Sequence, residues 1–222
     1  MKPLMPIRTP YLRETACVRL REAIVSGAIA PGAPVVIDDL AAQLDLSTMP
    51  VREAIKRLVV EGLIDETQRR SHRVAELTKE SALNVLDVMG PLMERAYAVA
   101  IPRLTQANIA TMRARLEEAA AQASTGNLLA ALYAIHTMHS VVYETTGNPE
   151  FGRTLSTISP RFDRVLYLWY TDSIINVGSS YRRDLIEALE DRKPDDAVTI
   201  MSEAWSRFRI VIASREEQQN NS

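Results

Sequence analysis

Residues 40–62, LAAQLDLSTMPVREAIKRLVVEG, restrict the fold of this chain most, because they predict two short helices joined by a tight turn. On one side the first helix carries three apolar residues: Leu40, Ala41 and Leu44. A break follows at residues 45–47, where Ser47 is a residue type that favours the N-cap of a second helix. Pro50 then falls in the first turn, the part of a helix that tolerates proline. The stretch is therefore predicted to fold as helix, turn and helix.

The second of these helices has two chemically different sides. Its apolar residues recur at intervals of three and four, the spacing of a helix face that packs on a core. They are Val51, Ala54, Ile55, Leu58 and Val59. The opposite side carries Arg52, Lys56 and Arg57, and one turn separates Arg52 from Lys56, so both can meet the same wall of a DNA groove. The sequence predicts a helix-turn-helix whose second helix enters DNA.

Two short segments after this helix, residues 63–66 and 73–77, are predicted to pair as a hairpin. Arg69, Arg70 and Arg73 place three arginines within five residues around its tip. Such a tip suits contact with phosphates or with the minor groove, and the alternative is a solvated basic turn. Because the tip directly follows the pattern of a recognition helix, we favour a wing. The N-terminal domain is therefore predicted to be a winged helix-turn-helix.

The position of each polar residue predicts a role on DNA. Arg52 is the leading base-reading residue, since a bidentate contact from arginine to guanine contributes about 1–3 kcal/mol of discrimination; its alternative role is a surface ion pair. Lys56 and Arg57 are predicted to contact phosphates, although Arg57 can instead pair with Glu53. The other candidate contacts open the second helix or form the wing tip: Ser47, Thr48, Met49, Arg69, Arg70, Ser71 and His72.

The chain after residue 79 shows helical periodicity and no strand pattern, so the predicted fold class is mainly α, with an N-terminal winged helix-turn-helix and a C-terminal bundle of about six helices. Glycine and proline punctuation, including Gly178, places these helices at about 80–100, 105–124, 128–146, 149–173, 178–191 and 194–216. Pro91 is expected to kink the first of them. The predicted domain limits are a flexible arm at 1–10, the winged helix-turn-helix at 11–77, the helical domain at 80–216 and a disordered tail at 217–222.

Composition is ordinary for a globular protein, with 46% hydrophobic and 24% charged residues among 222. The net charge of −2 does not by itself indicate a nucleic-acid partner. Residues 1–79 carry 12 Lys or Arg and 10 Asp or Glu, so the DNA-binding prediction depends on where the basic side chains lie.

Cysteine and histidine usage narrows the class of protein further. A single cysteine, Cys17, excludes an intramolecular disulfide, and its helical spacing with Leu20 and Ile24 predicts a buried structural thiol. The sequence contains no signal peptide and no window of about 20 apolar residues, so we expect a cytoplasmic protein. With three histidines and no nucleophile elbow, phosphate-binding glycine loop or zinc helix motif, we expect no enzymatic activity.

Four segments carry a resemblance to a known family of bacterial transcription regulators. LREAIVSGAIAPG (20–32), LAAQLDLS (40–47), PVREAIKRLVVEGLI (50–64) and the basic wing resemble the DNA-binding domain of the GntR family over residues 11–77. The rest of the chain resembles the all-helical effector domain of the FadR subfamily, the FCD domain, through HSVVYETTGN (139–148) and LIEALEDRKPDDAVTIM (185–201). The resemblance implies a ligand-responsive homodimer, a repressor in our interpretation, that binds double-stranded DNA at an inverted-repeat operator and takes a small-molecule effector.

This sequence departs from the family at the DNA-binding positions. Thr48 stands where members often have an arginine just after the N-cap of the recognition helix, and Asp38 stands where some have another DNA-contacting arginine. Arg69 and Ser71 replace glycines near the wing tip, whereas Arg52 keeps its place. We therefore expect a changed operator sequence.

The resemblance also implies a metal site that this chain does not retain. Many FCD domains hold a divalent metal with one aspartate and three histidines; His139 matches the first histidine, whereas Ile135, Arg182 and Ala204 stand at or near the other three positions. A single imidazole does not hold a metal in a buried site, so we expect no cofactor. The alternative is a metal-dependent regulator that senses an organic acid through His136, His139 and Glu144.

An effector pocket without metal has a different chemistry. Gly90 matches an arginine that grips acidic ligands in many relatives, so that anchor is missing as well. Apolar residues at helical spacing are usually core, yet they can also enclose a cavity for a hydrophobic or aromatic ligand, with His139 and Arg182 as polar anchors. The candidate lining residues are Met89, Met138, Trp169 and Trp205.

Overall fold

The computed structural model describes residues 9–67, 71–169 and 173–215, and all of their side chains except those of 9–11 and 173–180. Contacts divide the chain after Glu76 into two compact units, each with its own hydrophobic core. Within the described ranges, no helix is both long and apolar enough to cross a membrane.

The first unit combines three helices with a small sheet. Its elements in chain order are α1 (Thr9–Val25), β1 (Pro34–Val35), α2 (Ile37–Leu44), α3 (Thr48–Val60), β2 (Ile64–Glu66) and β3 (His72–Val74). The sheet is antiparallel in the order β1-β3-β2, with Val35 and Glu66 both opposite His72. The hairpin is thus present as predicted, but β1 was missed, because two residues beside a Pro-Gly turn give no periodic signal.

The turn between α2 and α3 follows from local backbone preferences. Asp45 ends α2 in the left-handed region at φ 52°, and its backbone N–H donates to carbonyls of the last turn. Ser47 takes the extended N-cap conformation, and Pro50 lies in the first turn of α3, as the sequence predicted. Gly62 follows α3 at φ 68°, a conformation that glycine adopts without steric cost, and the chain turns into β2.

The predicted apolar stripe of α3 faces the core of the first unit. Val51, Ala54, Ile55 and Leu58 are at most 2% exposed, and Val59 packs against them from the margin. They meet Cys17 and the rest of the buried face of α1. Since the inner face of α3 is fixed in this way, its opposite face is turned to solvent.

The second unit is all-helical over its described residues. Its elements are α4 (Lys79–Ala100), a 3-10 turn (Ile101–Arg103), α5 (Gln106–Ser124), α6 (Leu128–Thr145), α7 (Pro149–Trp169), α8 (Ser173–Glu190) and α9 (Pro194–Ala213). The mainly α fold class with six C-terminal helices is confirmed. Helix α4 continues through Pro91, and α7 continues through Pro160.

Several predicted boundaries were wrong by a few residues. Helix α1 begins at Thr9 rather than at 11; residues 1–8 of the predicted arm and the predicted tail 217–222 lie outside the described residues. Helix α7 ends at Trp169 and α8 begins at Ser173, so Gly178 lies inside α8 instead of before it. One glycine costs a helix about 1 kcal/mol, less than the packing of the buried turns after it supplies.

Candidate DNA-binding surface and effector cavity

The outer face of α3 presents Arg52. Its side chain is exposed, and within the described part of the chain it forms no ion pair or hydrogen bond, so the alternative role of Arg52 as a surface ion-pair partner finds no support there. A solvated guanidinium on a helix whose opposite face is buried is free to form a bidentate contact with a base edge.

The N-terminus of α3 is open. Ser47 occupies the N-cap, but its hydroxyl makes no capping hydrogen bond to the helix. Thr78 and Thr105, by contrast, cap α4 and α5 in complete capping boxes with Ser81 and Asn108. Ser47, Thr48 and Met49 are exposed, and Met49 is 62% exposed despite its apolar side chain. Uncapped first-turn N–H groups at a positive helix end suit a phosphate.

The two other basic residues of α3 form ion pairs of different kinds. Lys56 pairs with Glu53 at 2.8 Å on the surface, a contact of a few tenths of a kcal/mol that a phosphate can replace. Arg57 bonds Glu14 of α1 at 2.7 Å and approaches Glu61 at 3.4 Å, rather than the Glu53 that the sequence suggested. Arg57 therefore joins α3 to α1.

Beneath Arg57, a second arginine holds the C-terminal end of α3. Arg21 of α1 donates to both carboxylate oxygens of the buried Glu61, at 2.8 and 2.6 Å, and this hydrogen bonding raises the pKa of Arg21. Arg21 also contacts the sulfur of Cys17 at 3.2 Å. Cys17 is 1% exposed, and burial raises the pKa of its thiol, as expected for a structural cysteine.

The wing is closed by Thr67 and Ser71. The Thr67 N–H donates to the Ser71 carbonyl at 2.8 Å, and the two hydroxyls lie 2.6 Å apart. His72 is partly exposed in β3, and the Arg73 guanidinium donates to the Gly32 carbonyl. Arg69 and Arg70, predicted for the tip, lie outside the described residues.

The second unit contains an inner cavity of about 30 Å³ between α4, α6, α7, α8 and α9. Four predicted effector residues line it: Met89, His139, Arg182 and Trp205. Two others do not, since Met138 lies fully buried in the core and Trp169 packs beneath the Arg215 guanidinium at the end of α7. The cavity is too small for the aromatic ligand that the sequence suggested, because its volume suits a group of only about two or three non-hydrogen atoms.

His139 is held in the wall of this cavity by Tyr97. The Tyr97 hydroxyl and His139 Nδ1 lie 2.8 Å apart in a fully buried contact. Burial and the nearby Arg182 charge hold the pKa of His139 well below its usual value, so the imidazole is neutral. Burial likewise raises the pKa of Tyr97, which keeps its proton.

Arg182 brings a positive charge into the same cavity. It is 4% exposed, its guanidinium lies over the Tyr181 ring at 4.7 Å, and its buried Nε has no hydrogen-bond partner. No carboxylate of the described residues lies within ion-pair distance of it. A buried cation without an acidic partner is costly, which favours an anionic ligand group.

Comparison with known families separates the two units in the same way. The family described as bacterial regulatory proteins, gntR family, matches residues 12–74, and the FCD domain matches residues 84–207, more than half of the chain. The protein belongs to the GntR family, with an FCD domain. This GntR-family chain is therefore a DNA-binding transcriptional regulator rather than an enzyme, and its FCD domain is consistent with the FadR subfamily.

Curated relatives of the GntR-family chain are also transcriptional regulators. It is 31% identical to the HTH-type transcriptional regulator McbR of Escherichia coli over 45% of each chain, so the match spans less than half of that relative's length. It is 26% identical to the Nta operon transcriptional regulator of Aminobacter aminovorans over 80% of this chain and 83% of that protein. The matched part is 25% identical to the probable D-xylose utilization operon transcriptional repressor of Paenarthrobacter nicotinovorans, over 82% of each chain.

Two solved structures share the fold. The structure of E. coli McbR/YncC has a TM-score of 0.76 at 20% identity, covering 95% of this chain and 99% of that chain. A putative GntR regulator from Rhodococcus sp. RHA1 also has a TM-score of 0.76, at 17% identity, covering 92% of this chain and 99% of that chain.

The cavity of this FCD domain does not fit the metal that the family resemblance implies. Arg182 lines the cavity as a buried cation, which repels a second cation, and His139 Nδ1 faces the Tyr97 hydroxyl. The alternative triad is not assembled either: His136 pairs with Asp163 at 2.8 Å, and the described residues contain no metal-binding group of three His, Cys, Asp or Glu.

Trp205 occupies the space beside Gly90, the position at which the family resemblance implies an arginine. A Cβ built on Gly90 would meet the Trp205 ring atoms at 3.5–3.7 Å, so the indole fills the position that a longer side chain would need. The glycine and the tryptophan are therefore complementary in shape.

Sequence reasoning missed Tyr97, Asp163 and the Arg21–Glu61 pair. Tyr97 lies eight residues after Met89 and four after Met93, which is one face of α4, so periodicity could have found it. Asp163 and Glu61 meet partners 27 and 40 residues away, and no spacing rule predicts such pairs.

Proposed function

We propose that the protein is a ligand-responsive repressor that binds an inverted-repeat operator as a homodimer. The observation that carries this proposal is the exposed Arg52 without a partner in the described residues, on a helix whose other face is buried. A two-fold dimer presents two such helices to half-sites at a fixed spacing.

In this proposal, one residue of the first unit reads the base sequence, and the others position the protein on the DNA. Arg52 reads a base, while Thr48 and the open N-terminus of α3 bind a phosphate. Lys56 exchanges its weak pair with Glu53 for a phosphate. Arg57 supports α3 from the side of α1. In the wing, Ser71 and His72, together with Arg69 and Arg70, contact the backbone or the minor groove.

The ligand response is proposed to operate without a metal. A small-molecule effector places an anionic group in the inner cavity, where Arg182 and His139 anchor it. Its binding shifts the population of dimer arrangements that hold the two recognition helices at operator spacing. A small rotation is enough, because both half-sites must be engaged at once.

Repression is favoured over activation by one named relative. The Paenarthrobacter protein, which aligns over 82% of this chain, is described as a probable operon repressor. A repressor needs only to occupy its operator and to leave it when effector binds, which the population shift supplies.

We expect Arg52→Ala to weaken specific binding at least about tenfold, or about 1.4 kcal/mol, because it removes a base-reading contact. Bound sequences are first selected from random duplexes, and affinities are then measured by fluorescence anisotropy. Arg19→Ala is the matched control, since Arg19 is an exposed arginine of the same unit that pairs with Glu22 on α1. The control should bind as the unaltered chain does.

A second variant tests the wing independently. Replacing Arg69, Arg70 and Arg73 together by alanine should also weaken binding at least about tenfold. If neither this variant nor Arg52→Ala loses affinity, the assigned surface is wrong. If the unaltered chain has no salt-sensitive affinity for any duplex, the regulator proposal fails altogether.

A further inference from the structure

An open groove of about 440 Å³ lies between α6 and α7, outside the inner cavity. Residues on one face of α6 form one wall of the groove. Residues of α7, several of them small, form the facing wall. The polar and small members are Thr137, Ser140, Glu144, Gly152, Ser156 and Ser159. The volume is within the range of small-molecule sites, whereas the inner cavity admits only one small group.

The hydroxyls of this groove present acceptors rather than donors. Each donates its proton to a carbonyl of its own helix: Thr137 to Tyr133 at 3.0 Å, Ser140 to Thr137 at 2.9 Å, Ser156 to Arg153 at 3.0 Å and Ser159 to Leu155 at 2.7 Å. A hydroxyl has one donor and two lone pairs, so the oxygens keep acceptor capacity toward the groove. A ligand group placed there must supply hydrogen-bond donors.

Glu144 adds a negative charge to the same wall. Its carboxylate is exposed, and it forms no ion pair within the described part of the chain. Arg153 pairs with Glu150 and Arg103 donates to the Thr146 carbonyl, so neither of these arginines pairs with Glu144. The groove therefore favours a cationic, donor-rich group such as an ammonium.

The inner cavity has the opposite preference and shares part of its wall with the groove. His136, Tyr143 and Ser159 line both spaces. On the inner side, Arg182 is buried with an unpaired Nε, and the Tyr143 hydroxyl donates only to the Met93 sulfur, a weak acceptor, at 2.7 Å. Both groups can donate a hydrogen bond to an anionic oxygen.

We propose that the groove is a second subsite of the effector site, and that the effector is zwitterionic: its carboxylate enters the inner cavity at Arg182 and its ammonium lies in the groove by Glu144. This inference rests on the proposed ligand-responsive function and names the class of ligand. The apolar linker between the two charged ends passes His136, Tyr143 and Ser159.

The test uses probes that differ in the charges at their two ends, and three of the four have the same six-carbon chain. Calorimetry on the full chain compares 6-aminohexanoate and 8-aminooctanoate with hexanoate and hexylamine at up to about 10 mM. We expect at least one amino acid to bind roughly tenfold more tightly than hexanoate, and hexylamine to bind more weakly than either amino acid.

Variants of the protein test the binding of the carboxylate end and of the ammonium end of the ligand separately. Glu144→Gln should reduce the affinity for the amino acids to that for hexanoate and leave hexanoate unchanged, whereas Arg182→Met should abolish binding of both. Gly152→Leu should fill the groove and remove the preference for the amino acids. Gly152→Ala is its matched control, because a Cβ on Gly152 meets only the Tyr143 Cβ, at 3.9 Å.

Each unfavourable outcome identifies what failed. If hexanoate binds as tightly as the amino acids, or if Glu144→Gln changes nothing, the groove subsite is wrong while the Arg182 anchor stands. If no probe binds although the chain retains salt-sensitive binding of a duplex, the zwitterion proposal is overturned and the DNA-binding proposal survives. Loss of duplex binding by the unaltered chain overturns the proposed function instead.

Discussion

Two buried polar side chains, Glu61 and His139, show how this molecule tolerates polarity in its interior. Glu61 is satisfied by two hydrogen bonds from Arg21, so its charge is compensated inside the fold. His139 is instead kept neutral by burial and by the charge of Arg182, and its ring keeps one hydrogen-bond contact with Tyr97. One residue is thus stabilised as an ion and the other as a neutral group.

His139 gives the second unit a defined pH dependence. Its pKa is lowered in the folded state, so above about pH 6.5 both states are neutral and the residue contributes nothing. Below that pH the unfolded chain binds a proton that the folded chain does not, and the free energy of unfolding falls by up to about 1.4 kcal/mol per pH unit.

Urea unfolding followed by tryptophan fluorescence between about pH 7 and 5 measures this loss, because both tryptophans belong to the second unit. His139→Gln should lose less stability than the unaltered chain over that range, whereas His72→Gln, in the other unit, should not differ from it. If the His139 variant lost as much stability over this pH range as the unaltered chain, the assignment of the pH dependence to His139 would be wrong.

The N-termini of the helices differ in whether a side chain caps them, and this difference bears on function. Helices α4 and α5 have complete capping boxes, whereas α3, in the same molecule and with a serine at its N-cap, has none. Capping by a side chain satisfies orphan N–H groups. The open end of α3 is consistent with a helix whose first turn meets a ligand, and the proposed ligand is a DNA phosphate.

Alanine substitution at the N-caps separates stability from binding. Thr105→Ala should lower the free energy of unfolding by about 1 kcal/mol, because it breaks a capping hydrogen bond. Ser47→Ala should lower it by less, since no such bond exists, yet it should weaken duplex binding. Circular dichroism during urea unfolding and fluorescence anisotropy provide the two readouts; a larger stability loss for Ser47→Ala than for Thr105→Ala would refute this interpretation.

At the scale of the whole molecule, the chain consists of two units with separate cores. The core of the first unit is built around α1 and α3, and that of the second around an aromatic group that includes Phe162, Trp205 and Phe208. Each of these clusters is built from residues of one unit, so each unit packs around a core of its own.

A fragment of residues 77–222 should therefore fold alone. We expect cooperative thermal unfolding by circular dichroism, retained affinity for the carboxylate probes and loss of duplex binding, because the fragment lacks α3 and the wing. An unfolded fragment would show that the first unit is required for the core of the second.

The sequence by itself determined the helix-turn-helix, the wing hairpin and the mainly α class, because periodicity, capping residues and turn residues act within a few positions of one another. The family resemblance also predicted His139 and Arg182 as effector residues, and both line the inner cavity. Only the tertiary structure decided that Arg57 faces Glu14, that His136 faces Asp163, and that Met138 and Trp169 lie away from the cavity. These facts depend on which helices pack together and at what angle, and contacts between residues far apart in the chain leave no trace in local spacing.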